Sequence, residues 1–144
     1  MRKGTRDVSD SDSESVQLPR EREPVLRVVP MPADANSSGD IFGGWIMSQV
    51  DIAGGVCALR VARGRVVTVA VNSFVFKQAV LIGDLVSFYA KVVRVGRTSI
   101  TVDVEVFAQR GTPQEVTVKV TEATLTYVAV DRDRKPRPIE PQHG

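Results

Sequence analysis

Asp51 stands inside the most apolar stretch of the chain, between Val50 and Ile52. At helical spacing its neighbours are Met47, Gly54, Gly55 and Ala58, a small and mostly apolar face. A carboxylate placed there gives up solvation, which a fold accepts when the group is paired or put to work. Partial burial would also make it a better base. Two readings are open at this point. Asp51 is a base for chemistry on that face, or it is a structural group that caps a helix break or pairs with Arg27 or Lys77.

A second candidate lies just upstream, in the run from Asn36 through Asp40 to Gly43, Gly44 and Trp45. Gly43 and Gly44 would open the helix that carries Asp51. The first amides of a helix lack internal acceptors and sit at the positive end of its dipole. Glycines let a ligand oxygen reach those amides, which makes an oxyanion site without side chains. A glycine-rich helix start with Asp40 near the cap is the plainer alternative. The conjunction of a glycine helix start and a buried Asp about two turns on is the more specific feature.

Other chemistries are excluded by residue counts. The 144-residue chain has one histidine, His143, and one cysteine, Cys57. A Ser-His-Asp or Cys-His apparatus and a zinc site on His and Cys are therefore not expected. No metal is expected, and no intrachain disulfide is possible. Ser73, Thr68 and Ser99 have no histidine to activate them. Cys57, mid-helix among apolar neighbours, reads as core. The net charge is +2, and no segment is a strong polycation, so nucleic acid is not expected as a partner. No uncharged run approaches the roughly 18 residues of a membrane helix, and no apolar segment follows the basic N-terminus. A cytoplasmic location and no membrane association are the corresponding expectations.

The elements that must position these residues follow from periodicity. Residues 1–24 hold eleven charged side chains and frequent serine, a composition that reads as a disordered tail. Residues 132–144 carry Pro136, Pro138 and Pro141 and read as a second tail. The domain is then 25–131. Val25 to Val29 reads as a first strand and Met31 to Asp40 as a loop. Gly43 to Arg63 reads as one helix, apolar all round and thus buried, with Gly64 as its stop. Arg65–Phe76, Asp84–Val95, Thr98–Ala108 and Thr117–Val130 read as strands. In the third of these, Ile100, Val102, Val104, Val106 and Ala108 share one face. A phase shift in the last predicts a bulge near Thr121–Glu122. The short connections at Gly96-Arg97 and Arg110–Gln114 predict antiparallel hairpins. One apolar helix and four long strands predict an α+β domain in which a curved antiparallel sheet wraps the helix. The long exposed edge of such a sheet predicts an oligomer.

Met31-Pro32 through Met47-Ser48-Gln49-Val50-Asp51, Gly64-Arg65-Val66-Val67-Thr68-Val69-Ala70-Val71, Gly83-Asp84, Val95-Gly96-Arg97-Thr98-Ser99 and Tyr127 to Asp131 together resemble the hotdog-fold acyl-CoA thioesterases of the YciA type. The resemblance spans roughly 25–138. It implies a hotdog fold whose protomers join sheets edge to edge as a homodimer or trimer of dimers. It implies hydrolysis of acyl-CoA to a free acid and coenzyme A, with coenzyme A as part of the substrate and no separate cofactor. By the same resemblance Asp51 is catalytic, Asn36 is its partner from across the interface, and Gly43 and Gly44 offer amides to the thioester oxygen. Gly96, Arg97, Thr98 and Ser99 form the turn along coenzyme A, with Arg97 the first candidate for its phosphates and Arg65, Lys91 and Arg94 further ones. Asn72 and Gln78 depart from the acidic and basic residues common at those positions. A hotdog dehydratase would need a histidine in the site. A non-catalytic acyl-CoA or fatty-acid binding module is the alternative function, and it would not need Asp51.

Overall fold

The computed structural model describes residues 16–111 and 113–141. Its order is β1 (Leu26–Val28), a single 3-10 turn (Pro32–Asp34), α1 (Gly43–Ala62), β2 (Val66–Phe76), β3 (Leu85–Val95), β4 (Ser99–Arg110) and β5 (Val116–Ala129). The strands form one antiparallel sheet in the order β1-β3-β4-β5-β2. The four long strands and the helix match the periodicity reading to within a few residues.

α1 packs on this sheet through Ile46, Val50, Ala53, Gly54, Ala58 and Ala62. Their three- and four-residue spacing makes one stripe, and the small residues along it bring the helix axis close to the strands. The sheet answers with the inward face of β4, where Ile100, Val102, Val104, Val106 and Ala108 are all buried. Phe88, Leu125 and Tyr127 complete that layer. Burial on every side of the helix was the expectation. In the single chain the sheet covers one side only, and Phe42, Met47, Ile52 and Leu59 stay 41–53% exposed on the other.

β2 ends the sheet with its outer edge unpaired among the described residues. Along this 11-residue strand Val69, Val71, Val75 and Phe76 are about half exposed. β1, at the opposite edge, has only 3 residues. The β5 bulge lies beside its expected place. Pairing with β4 jumps from Val106–Thr121 to Phe107–Lys119 and leaves Val120 as the extra residue. β2 carries two further irregularities, at Thr68/Ala70 and Val71/Ser73, which the valine-rich pattern did not reveal.

The helix stop also differs from expectation. Arg63, not Gly64, takes the left-handed conformation (φ 55°), and its amide donates to the Leu59 carbonyl at 2.8 Å. Gly64 is small for another reason: a Cβ there would lie 2.7 Å from the Arg137 guanidinium. Arg137 Nη2 donates to the Ala62 carbonyl at 2.8 Å, and its Nε donates to Val130 at 3.2 Å. A cation thus meets the negative end of the helix dipole.

Composition placed 132–144 and 1–24 outside the domain. Residues 1–15 and 142–144 lie outside the described residues, but the inner part of each segment is docked. Asp131 Oδ1 accepts from the amides of Asp133 and Lys135 and turns the chain back. Ile139 then donates its amide to the Arg97 carbonyl at 2.8 Å and packs on the core. At the other end Arg22 crosses the outer sheet face, 2.6 Å from Glu105 and over the Tyr89 ring. Burial works against ionising Glu105, yet hydrogen bonds from Lys119 and Arg22 outweigh it and hold that carboxyl below its ordinary range. Charged, proline-rich sequence docks here because its contacts are hydrogen bonds and ion pairs, which hydrophobic periodicity does not register.

Replacing Arg137 with alanine removes the helix cap and should lower unfolding stability by about 1–2 kcal/mol. Urea unfolding would show it as a lower midpoint at unchanged slope; an unchanged midpoint would mean that Arg137 only rests on the helix end.

Candidate active site

Asp51 lies midway along α1, partly buried. Its Oδ1 accepts a hydrogen bond from Thr68 Oγ1 at 2.7 Å and another from the Tyr127 hydroxyl at 3.1 Å. The same phenol donates to the Asp51 backbone carbonyl at 2.9 Å. Thr68 on β2 and Tyr127 on β5 are direct cross-strand partners, so adjacent strands present both hydroxyls at one point. The register breaks immediately after Thr68; such bulges re-aim side chains next to sites.

No cation neutralises Asp51 among the described residues. Arg27 donates to Ser87 at 2.9 Å, and Lys77 lies 3.7 Å from Glu122. The two structural pairings considered for Asp51 are therefore not made, and the carboxylate is held by hydroxyls alone. Burial, then the neighbouring Asp51 carboxylate, pushes the Tyr127 phenol far above its ordinary range. It stays a proton donor at any working pH.

The start of α1 forms a separate feature. Phe42 is the N-cap residue and supplies no side-chain cap; its carbonyl accepts from the Trp45 amide at 3.0 Å, so the Gly43 and Gly44 amides are the ones left for an outside acceptor. Gly43 lines a cavity of about 420 Å³ together with Asn36, Asp40, Phe76, Lys77 and Gln78, over an apolar floor of Ile41, Ile46 and Val80. A Cβ on Gly43 would press on the Phe76 ring at 3.2 Å, whereas one on Gly44 would meet open space. Asn36 is fixed in a turn. Its Oδ1 accepts from the amides of Ser38 (2.9 Å) and Asp40 (3.1 Å). Its side-chain NH₂ then remains as the group to offer a ligand.

Within one chain Asp51 and the Asn36–Gly43 cavity are not brought together. Eight residues of helix separate Asp51 from Gly43, about 12 Å along the axis. The Gly96–Ser99 turn joins β3 to β4, closed by the Gly96 amide on the Ser99 carbonyl at 2.7 Å. The Thr98 carbonyl accepts from Ala129 and that of Arg97 from Ile139. The backbone is thus pinned on two sides, while the Arg97 side chain is exposed. Ile100, next along, pairs with Tyr127, which puts this turn at the Asp51 end of the sheet. Arg65 lies at the same end, its carbonyl accepting from Val130. Lys91 instead faces a polar hollow on the outer sheet face with Asp103, Glu105 and Glu122. Gln78 lines the Asn36 cavity, and Asn72 accepts from Thr126 away from it.

Thr68 and Tyr127 were not singled out as site residues by sequence. Thr68 has no histidine to activate it, and that test for nucleophiles misses donors to a carboxylate. Tyr127 follows Ala123 and Leu125 in alternation, as a core position would. Cys57 donates weakly to the Ala90 carbonyl, and burial pushes its thiol up against the opposing pull of Arg60, which suits core rather than nucleophile. No group of three or more His, Cys, Asp or Glu among the described residues could hold a metal. His143 lies outside them.

Comparison with known proteins adds an independent line. A sequence profile of the thioesterase superfamily matches residues 38–114, more than half of the chain. The acyl-CoA thioester hydrolase YciA of Salmonella typhimurium is 49% identical over 122 residues, 83% of this chain and 92% of that protein. YciA of Escherichia coli K12 is 48% identical over 120 residues, 81% and 91% of the two chains. Among solved structures, Cj0915, a hexameric hotdog-fold thioesterase of Campylobacter jejuni, superposes with a TM-score of 0.80 at 50% identity, covering 84% of this chain and 93% of that one. HI0827, a hexameric broad-specificity acyl-coenzyme A thioesterase, gives 0.79 at 43% identity, covering 86% and 85%; it has also been solved with one aspartate replaced by alanine. With its helix packed on one curved sheet, its sheet order and these likenesses, the chain belongs to the hotdog-fold thioesterase superfamily, alongside the YciA acyl-CoA thioester hydrolases.

Proposed function

We propose that this protein hydrolyses acyl-CoA thioesters, with Asp51 as the catalytic carboxylate. The observation that carries the reading is the state of Asp51: partly buried, free of any cation among the described residues, and held through one oxygen by Thr68 and Tyr127. Oδ2 has no hydrogen bond within the described chain and is the oxygen available to a water. Two copies make the site. Asn36 and Gly43 share one cavity in each chain, so they enter together from one copy while Asp51 enters from the other. The free β2 edge and its half-exposed valines are the surface on which two sheets join, giving a homodimer that can assemble further into a trimer of dimers.

In the reaction Asp51 Oδ2 takes a proton from water as the oxygen attacks the thioester carbon. Amides at the start of α1, from Gly43 and Gly44, receive the developing oxyanion, and the Asn36 NH₂ orients the water or the carbonyl. Collapse breaks the carbon–sulfur bond, and the thiolate recovers the proton from Asp51. The products are a carboxylic acid and coenzyme A. Direct attack by Asp51 uses the same residues: the carboxylate displaces the coenzyme A thiolate from the acyl carbon to form an anhydride, and water then opens it, releasing the acid, restoring the Asp51 carboxylate and supplying the proton the thiolate takes up. The apolar floor of Ile41, Ile46 and Val80 suits an acyl group beside the amides. The Gly96–Ser99 turn, pinned at the Asp51 end, lies along coenzyme A, with Arg97 and Arg65 toward its phosphates. The protein works without a separate cofactor, in the cytoplasm where acyl-CoA is made and used.

Asp51→Asn should keep the fold and the oligomer but lower kcat on acyl-CoA by at least about 10²-fold. A free-thiol assay over acetyl- to palmitoyl-CoA reads this directly, and wild-type turnover by the variant would refute the assignment. The same assay tests the alternative of a binding module, which would bind acyl-CoA and release no thiol. Arg97→Ala should raise KM for acyl-CoA far more than for a truncated pantetheine thioester, and equal effects on the two would remove Arg97 from the phosphate site.

A further inference from the structure

Tyr127 is among the largest fully buried side chains of the chain, and it carries a hydroxyl into the interior. A buried phenol needs a partner. This one divides its proton between the carbonyl and the Oδ1 of a single residue, Asp51. The approach is possible because residue 54 is glycine. A Cβ there would collide with the Tyr127 hydroxyl, while one at Gly55 would make ordinary contact with the ring at 3.7 Å. Glycine inside a helix is destabilising relative to alanine, so position 54 gives up helix stability to admit the phenol. A phenylalanine at 127 would fill the same core space without the hydroxyl.

We propose that Tyr127, admitted by Gly54, is a positioning residue for the hydrolysis: with Thr68 it locks the Asp51 carboxylate through Oδ1 and so aims Oδ2 at the water. This rests on Asp51 being the base. Thr68 alone gives one hydrogen bond, about which the carboxylate can swing. The phenol adds a bifurcated bond, its one proton shared between that same oxygen and the backbone carbonyl behind it. That ties the side chain to its own helix turn. Buried behind Asp51, Tyr127 is not placed to bind substrate, so its loss acts on the chemical step and not on affinity.

The test measures thiol release by Tyr127→Phe, Gly54→Ala, Asp51→Asn and the Tyr127→Phe/Asp51→Asn double variant, using the acyl-CoA that the unaltered protein turns over best. Tyr127→Phe is expected to keep the oligomer, lower kcat about tenfold or more, and leave KM within about twofold. Gly54→Ala keeps the tyrosine but displaces it, and is expected to show the same split; it carries the test if Tyr127→Phe does not fold. In the double variant the tyrosine change should add nothing to the loss from Asp51→Asn. Wild-type kcat in Tyr127→Phe, or an equal fractional loss with and without Asp51, overturns the positioning role while leaving Asp51 as base. Wild-type turnover by Asp51→Asn overturns both.

Discussion

A carboxylate on an apolar helix persists only if the surface facing it supplies donors, and everything at this site depends on how that is done. The donors are two hydroxyls from neighbouring strands, Thr68 and Tyr127, brought opposite each other by the β2–β5 register. A lysine or arginine would have satisfied Asp51 more completely, and would have tied up the charge that general-base chemistry needs. Hydroxyls satisfy one oxygen and bring no opposite charge to the group. The small residues of α1 serve the same end. Ala53, Gly54 and Ala58 let the helix settle close enough for a side chain from the sheet to reach the backbone beside Asp51.

The exposed half of α1 and the free edge of β2 are two aspects of one incompleteness. A helix apolar on most of its surface is stable when covered on most of its surface. One sheet of this size covers a single stripe, leaving Met47, Ile52 and Leu59 in contact with solvent. The edge strand, 11 residues long and rich in valine, is likewise open. Joining a second sheet at that edge would extend the cover around both helices. Burial of apolar surface and formation of a two-copy site are then a single event.

Much of this was legible in the residues. Strict alternation in β4 placed Ile100 through Ala108 on the inner face, because a strand with one buried face has only one way to sort its side chains. Asp51 was conspicuous because everything around it is apolar. Its partners were not, since Thr68 and Tyr127 are ordinary strand residues whose meaning lies in a cross-strand register that no local pattern specifies. Gly54 stands in sequence only as a small neighbour of Asp51, and its reason appears in space, where Tyr127 lies against it. Gly64 reads as a helix stop for a similar reason. Its neighbour in space, Arg137, is 73 positions away and belongs to a stretch that composition marks as a tail. Docking of that stretch through the Ile139 amide and the Arg137 cap depends on backbone groups that are the same in every sequence.

The spacing of Gly43 and Asp51 constrains the chemistry more than either residue does. Amides at the first turn of a helix point along its axis toward its start, whereas a side chain two turns on projects sideways, about 12 Å further along. No single carbonyl can meet both on one helix. In the proposed homodimer a twofold axis would set the start of one helix beside the middle of the other and remove the difficulty. The same operation would generate a second, equivalent site. It would also account for the strictness of the arrangement around Asp51. If Asp51 is the proposed base and meets a substrate held by another chain, its own backbone does not suffice to place it, and the contacts from Thr68 and Tyr127 fix it from behind.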